Sequence, residues 1–284
     1  MEIKLDDTLT PGLYIISTPI GHLGDISIRA LTTLKSLDKV YCEDTRVTTK
    51  LLQRYNIKKA LFKYNDFSSE VSRKHIIKNI EENQSVGLVS DAGTPLISDP
   101  GYKLVRECMN QNIPVNVVPG PSALISSVVL SGLPSNKIYF TGFLPTSSSK
   151  RAIEFEKIKK LDATIIIFET TKKLNKTLLD LKKYFGNIKI VITREITKIY
   201  EEVIVEEIDS FIKKMNNKTL KGEIVLLFNT ADIKPFTDML ELEEEIKKLI
   251  NNLPVKEITN MLYIKYDISK KAIYDMCLKL KSNS

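Results

Sequence analysis

The sequence has no tryptophan, only two histidines and three cysteines, and no apolar run near the ~20 residues that a bilayer-spanning helix requires. Cys42, Cys108 and Cys277 are odd in number and far apart, which argues against a disulfide framework and against the close ligand pairing of a zinc site. With His22 and His75 as its imidazoles the chain is poorly supplied for nitrogen- or sulfur-ligated metal, and no metal site is expected. The segment Met1 to Asp7 lacks the basic start and apolar core of a secretory signal, so a cytoplasmic protein with no membrane partner is expected. Glycine is sparse where nucleotide folds need it. The loop after the first apolar run holds only Gly21 and Gly24, so the three-glycine dinucleotide fingerprint is absent, and no Walker A sequence occurs.

What is present fits a globular chain. Its 284 residues, 43% hydrophobic, can bury a substantial core and suggest about two domains with a small appendage. The formal charge is +7, and its distribution says more than its size. Residues 238–284 hold eight Lys against eight Asp plus Glu, so the whole excess lies upstream. Residues 146–183 carry ten basic side chains against five acidic ones, including Lys150-Arg151 and Lys172-Lys173. Such runs are solvated helix faces by default, and an anionic partner is the sharper reading.

Apolar runs of strand length recur at 13–16, 39–42, 86–89 and 115–118, separated by helical patterns from Ser27, through Leu51-Leu52, over 71–82 and over 102–110. Alternation of this kind implies a mostly parallel sheet. A helix at 124–130 leads into a second alternating set, with strands near 138–140, 164–168, 188–193, 202–205 and 223–228 and a helix over 172–184. Three helical segments near 238–251, 255–264 and 269–281 follow a linker at 229–235. The expected organisation is an α/β domain over 1–120, a second over 121–232, and a helical tail over 236–284.

The most informative stretch is Ser90 to Gly101, S-D-A-G-T-P-L-I-S-D-P-G, directly after the run Val86 to Val89. Open α/β sheets bind ligands at the carboxyl ends of their strands, and glycine there lets backbone amides approach a ligand closely. Such a loop can also be a rigid crossover connection, but a second one, Pro119 to Ala123, follows the strand at 115–118, and two at neighbouring strand ends favour a ligand cleft. Glu43-Asp44-Thr45-Arg46 sets two carboxylates beside a guanidinium where a strand meets a helix. The group could bind phosphate and orient a hydroxyl, or simply cap the helix. Thr193-Arg194-Glu195 carries the same ambiguity. His22 lies in a candidate loop without a visible partner.

Taken in order, Leu13 to Gly24, Glu43 to Arg46, Asp91 to Gly101, Pro119 to Ala123, Leu130 to Pro134, Gly142 to Pro145, Thr193 to Glu195 and Lys221 to Glu223 resemble one family closely. It is the small-subunit ribosomal RNA cytidine 2'-O-methyltransferase family of the tetrapyrrole-methylase superfamily, and the resemblance covers nearly the whole chain. It implies two α/β domains with S-adenosylmethionine in the cleft between them, a homodimer, and methylation of a cytidine ribose in small-subunit ribosomal RNA, within the assembled 30S subunit. By the same resemblance Ile20, Asp91, Ala92, Gly93, Thr94, Pro95 and Ile97 line the cofactor from the first loops. Gly120, Pro121, Ser122 and Ala123 form the second cofactor loop, and Phe168, Glu169, Thr193, Arg194, Gly222 and Glu223 complete the site. Asp44 is the first candidate to orient or deprotonate the hydroxyl, Asp25 the reserve, and Arg46 a phosphate ligand. Lys150, Arg151, Lys172 and Lys173 are candidate RNA contacts.

The chain departs from the family at two places. The usual Ser-Pro-His-Arg after the second-domain strand is Thr170-Thr171-Lys172-Lys173, which replaces a rigid guanidinium fork with ammonium groups. A His-rich stretch is replaced by Tyr64-Asn65-Asp66-Phe67. Two alternatives stay open at this level: methylation of a corrin or porphyrin precursor, and an RNA-binding module without catalysis in which the tail is a helix-turn-helix reader.

Overall fold

The computed structural model describes residues 9–65, 70–215, 220–231, 239–266 and 268–282. Its first part runs β1 (Gly12–Ile16), α1 (Ile28–Ser36), β2 (Lys39–Cys42), α2 (Thr45–Arg54), β3 (Leu61–Lys63), α3 (Glu70–Glu81), β4 (Ser85–Val89), α4 (Tyr102–Asn110) and β5 (Val115–Val118). Helix α5 (Ala123–Ser131) leads to β6 (Ile138–Phe143), α6 (Ser148–Ile158), β7 (Thr164–Thr170), α7 (Thr171–Phe185), β8 (Lys189–Arg194), β9 (Glu202–Glu207), α8 (Ile208–Lys214) and β10 (Glu223–Asn229). The tail is α9 (Met239–Leu249), α10 (Val255–Tyr266) and α11 (Lys270–Ser282). Among the described residues no helix is long and apolar enough to cross a membrane.

Local chemistry sets several boundaries. Ser27 accepts the Ala30 amide at 3.0 Å and starts α1, Asp44 accepts the Arg46 amide at 2.8 Å and starts α2, and Gly132, at φ 66°, ends α5. Three elements escape the sequence patterns. β3 is three residues at a sheet edge, α6 enters through a serine-rich basic run, and α8 is seven residues long.

The first sheet has the order β3-β2-β4-β1-β5, and all its pairs are parallel, as the alternation predicts. Its faces are covered by different side chains of the same strands. Leu13 and Ile15 pack with Ile76, Ile80 and Leu104 on one side, while Tyr14 and Ile16 pack with Leu34, Leu37 and Leu52 on the other. Burial on both faces explains the unbroken apolar runs that make these strands legible.

The second sheet, β6-β7-β10-β8-β9, is mixed. Only β6 and β7 pair parallel, and the other neighbours run antiparallel. The link from β8 to β9 is too short to hold a crossover helix, so those strands fold back as a hairpin. Ile165 and Ile167 face one core and Ile166 the other. Val128 of α5 belongs to that second core with Val191, Val225 and Leu227, so α5 packs on the second sheet although it leaves the first. The tail has a core of its own, built from Leu242, Ile246, Ile258, Leu262, Ile273 and Cys277.

Candidate functional site

Three loops at the carboxyl end of the first sheet are tied together by short polar bonds. Thr18 and Gly93 exchange backbone hydrogen bonds at 2.9 and 3.1 Å, joining the β1 loop to the β4 loop. The Thr94 hydroxyl lies 2.9 Å from Ser17 Oγ and donates to the Pro121 carbonyl at 3.2 Å, which adds the β5 loop. Within the β4 loop Gly93 and Gly101 have φ of 79° and 135°, and Leu96 and Ser98 are also left-handed, at 74° and 65°. Side chains other than glycine are rarely held there, so the loop's shape is over-determined by its surroundings, as at ligand sites.

These loops form one wall of a cavity of about 700 Å³, large enough for a nucleoside-sized ligand. Ile20, Asp91 to Thr94, Ile97 to Asp99, and Ser122-Ala123 line it from the first sheet's side. Phe143, Phe168 to Lys173 and Gly222 to Val225 line it from the second. Phe143 is 54% exposed and stands edge-on to Phe168, with ring centroids 5.8 Å apart. Gly222, at φ 103°, backs onto Glu195, whose Cδ would lie 2.5 Å from an added Cβ. The cavity therefore holds two backbone cradles, at Gly93 and Gly222, that a larger residue would spoil.

The charged lining is four carboxyls, Asp91, Asp99, Glu169 and Glu223, beside Lys172 and Lys173. Burial pushes the Asp99 carboxyl up to about 6, with Glu43 and Asp91 acting in the same direction and a hydrogen bond from Ser90 opposing them. Burial also raises Glu43, again with help from Asp91 and Asp44. Glu169 is buried, and its carboxylate accepts the Thr170 amide at 2.7 Å and the Thr177 hydroxyl at 2.5 Å. Carboxyl groups pushed up by burial and by one another are relieved by a cationic ligand. A sulfonium compound with backbone-recognised polar groups fits this donor set.

Most residues assigned to the cofactor from sequence line the cavity: Ile20, Asp91, Ala92, Gly93, Thr94, Ile97, Ser122, Ala123, Phe168, Glu169, Gly222 and Glu223. Pro95, Gly120 and Pro121 stand behind it. Pro95 is buried, a Cβ on Gly120 would press Ser17 Cβ at 3.0 Å, and Pro121 supplies the carbonyl that Thr94 reaches. Thr193 and Arg194 do not line the cavity. Thr193 is buried in the sheet with its hydroxyl toward the Val225 carbonyl, and Arg194 pairs with Glu202 at 3.0 Å and donates to the Lys221 carbonyl at 2.9 Å.

Asp44 lies just outside the cavity, linked to it by its amide, which donates to Asp91 Oδ1 at 3.1 Å. Its carboxylate caps α2 and holds Arg46 at 2.5 Å, and these hydrogen bonds hold it well below the usual carboxylate range. Such a group stays ionised but is a weak proton acceptor. The Arg46 side chain is 85% exposed. Asp25 and His22 sit on an exposed turn away from the cavity wall, and His22 Nδ1 accepts the Gly24 amide at 3.1 Å. Tyr64 is buried in the first core, while Asp66 and Phe67 lie outside the described residues.

The basic candidates divide. Lys172 and Lys173 are exposed and line the cavity, and Lys150 is exposed on α6. Arg151 is a correction. Only 4% exposed, it bonds Asp180 at 2.8 Å and Thr177 at 3.0 Å, so it joins α6 to α7 and cannot meet a solvent-borne phosphate. Ser98, Asp99, Phe143, Thr170, Thr171, Ile224 and Val225 line the cavity without having been assigned to it from sequence. Asp99 had a visible signal, the second Asp-Pro/Gly turn of its loop, whereas Phe143 is aimed inward by the bulge between Phe140 and Gly142.

Comparison with known proteins agrees with this architecture. The family model described as Tetrapyrrole (Corrin/Porphyrin) Methylases matches residues 12–211. A Rickettsia prowazekii protein named ribosomal RNA small subunit methyltransferase I is 50% identical over 222 residues, covering 78% of this chain and 79% of its own. The Thermotoga maritima protein of the same name is 42% identical over 217 residues, covering 76% and 97%. Among solved structures, a cobalt precorrin-4 methyltransferase superposes with a TM-score of 0.56 at 16% identity, over 78% of this chain and 95% of its own. A Thermus thermophilus uroporphyrin-III C-methyltransferase complexed with S-adenosylhomocysteine does so at 0.53 and 14%, over 77% and 98%. At that identity the structural likeness speaks for the fold alone. The extent of the family match and the identity to these relatives establish that the chain belongs to the tetrapyrrole methylase family and, within it, to the small-subunit ribosomal RNA methyltransferase I proteins.

Proposed function

We infer that this chain transfers a methyl group from S-adenosylmethionine to the 2'-hydroxyl of a cytidine ribose in small-subunit ribosomal RNA, in the cytoplasm and within the assembled 30S subunit. The observation that carries the reading is the acidic, glycine-cradled cavity between two sheets in a chain 50% identical to a ribosomal RNA small subunit methyltransferase I. Bound there, the sulfonium compound supplies an electrophilic methyl group. Gly93 and Gly222 leave room for it, Thr94, Ser122 and Ala123 offer polar backbone and hydroxyl contacts, and Asp91 and Asp99 face its positive charge.

Methyl transfer in line requires alignment more than proton chemistry. Lys172 and Lys173, at the same cavity, hold the phosphates flanking the target ribose, with Arg46 as a further phosphate ligand. Asp44, kept ionised by Arg46, accepts a hydrogen bond from the reacting hydroxyl and orients it, and the hydroxyl proton is lost to solvent water as the methyl group is transferred. The protein works as a homodimer, a reading supported by exposed apolar side chains on α5 and the β8–β9 link, where Val129 is 76% and Ile199 95% exposed. A division after residue 120 into two α/β domains, with the tail from 236, accounts for the sheets and their separate cores.

The test is transfer of labelled methyl groups to assembled small subunits, naked ribosomal RNA and porphyrinogens, followed by nucleoside analysis. Label in 2'-O-methylcytidine, greatest with assembled subunits, is expected. Label on a base or on the macrocycle refutes the reading.

A further inference from the structure

The tail is neutral as a whole, which at first weighs against nucleic-acid binding. Its folded form segregates the charge. Glu243, Glu244 and Glu245 outnumber Lys247 and Lys248 on α9, whereas α11 carries Lys270, Lys271, Lys279 and Lys281 against one acid, Asp275. Around α11 the buried residues Ile273 and Cys277 turn inward to the tail's own core. Beside that seam Lys270, Tyr274, Leu278 and Lys281 follow i, i+4, i+8 and i+11 spacing, so they share an arc of about 80°. All four are exposed, and Tyr274 and Leu278 keep 44% and 46% of their surface in solvent. Tyr263 of α10, 42% exposed, adds an aromatic ring beside the stripe, with the Lys270 ammonium 5.1 Å from its centroid. Among the described residues no ion pair involves Lys270, Lys271 or Lys281.

A packing appendage would turn its tyrosines and leucine inward and pair its lysines. Here cations and aromatic faces alternate on an exposed surface where Asp275 is the one acid of α11, the arrangement that holds a phosphate backbone while stacking unpaired bases. Resting on the reading of the chain as a ribosomal RNA methyltransferase, we propose that this α10–α11 face is a second RNA contact, which grips substrate RNA away from the methyl-transfer cavity.

The experiment uses the full chain with Lys270, Lys271 and Lys281 changed to Glu together, and separately Tyr274→Ala. Binding to small-subunit ribosomal RNA is measured by anisotropy over a salt series, with S-adenosylmethionine affinity, circular dichroism and light scattering alongside. Charge reversal is expected to weaken RNA binding about tenfold or more and to reduce the slope of log affinity against log salt by about two. Tyr274→Ala should weaken binding several-fold with the slope unchanged, because stacking releases no counterions. Cofactor affinity and helical content should stay at wild-type values.

Wild-type RNA affinity and slope in the reversed variant overturn the proposal while leaving the methyltransferase reading intact. A change in oligomeric state without a change in RNA binding assigns the face to a second copy and also overturns it. If the wild-type protein neither binds nor methylates the RNA, the functional reading fails first and the tail contact with it.

Discussion

Acidification should loosen cofactor binding through Asp99. Its carboxyl, at about 6, is raised chiefly by burial, so a cation entering the cavity stabilises the ionised form and competes with a proton. If only the ionised form binds, the competent fraction is roughly 97% at pH 7.5 and roughly 9% at pH 5, so affinity should fall about tenfold over that interval. The apoprotein should respond with the opposite sign. The folded carboxyl takes up its proton near 6 and the unfolded one near its ordinary value of 3.8, so this group's destabilising effect is fully present above 6 and is relieved as pH falls toward 4. The apoprotein therefore gains stability from this group between pH 7 and 5 while the complex loses affinity. Calorimetry at pH 6 in buffers of different ionisation enthalpy should register proton release on binding. Asp99→Asn should bind more weakly at pH 7.5 and show a flatter pH profile, with a remnant from Glu43, which burial also raises. A wild-type affinity that does not change between pH 7.5 and 5, or an Asp99→Asn profile as steep as wild type, refutes the assignment.

Other outcomes follow from single contacts. Gly93→Val forces a branched side chain to φ 79° with its Cβ 3.3 Å from Ile20 Cγ2, so cofactor binding should be lost at about 1–3 kcal/mol of loop strain, read by calorimetry and thermal melts. Arg151→Ala leaves Asp180 without its cation and removes one of the two partners of Thr177, and should destabilise the fold by about 2–4 kcal/mol in denaturant titration, whereas Lys172→Glu should leave stability unchanged and weaken RNA binding. Asp44→Asn should slow single-turnover methylation about tenfold without changing cofactor affinity, since it removes an orienting acceptor rather than the proton's destination. A wild-type rate in that variant would reduce Asp44 to a helix cap.

Much of the first sheet was legible because its central strands β1 and β4 are buried on both faces. Residues 13–16, 86–89 and 115–118 are short apolar runs that no amphipathic helix produces, and their ends carry the glycine-rich turns of a ligand site. The Asp91 to Gly101 loop declared itself for the same reason, since a left-handed, tightly packed turn needs residues of that kind. Strand direction in the second sheet was not legible, because pairing depends on how connections pass over the sheet and not on the apolar pattern of one strand. Charge was least legible of all. Lys150-Arg151 and Lys172-Lys173 look alike in the sequence, yet Arg151 is sealed between two helices by Asp180 and Thr177 while Lys172 and Lys173 open onto the cavity. Likewise the tail's balance of eight against eight conceals that α11 carries four lysines against one acid while Glu243, Glu244 and Glu245 sit on α9. Local sequence determines which segments become strands, helices and turns, because propensity and periodicity act over a few residues. Only tertiary packing decides which charged groups are paired, buried or left facing a ligand, because desolvation and Coulomb interactions depend on neighbours far away in the chain.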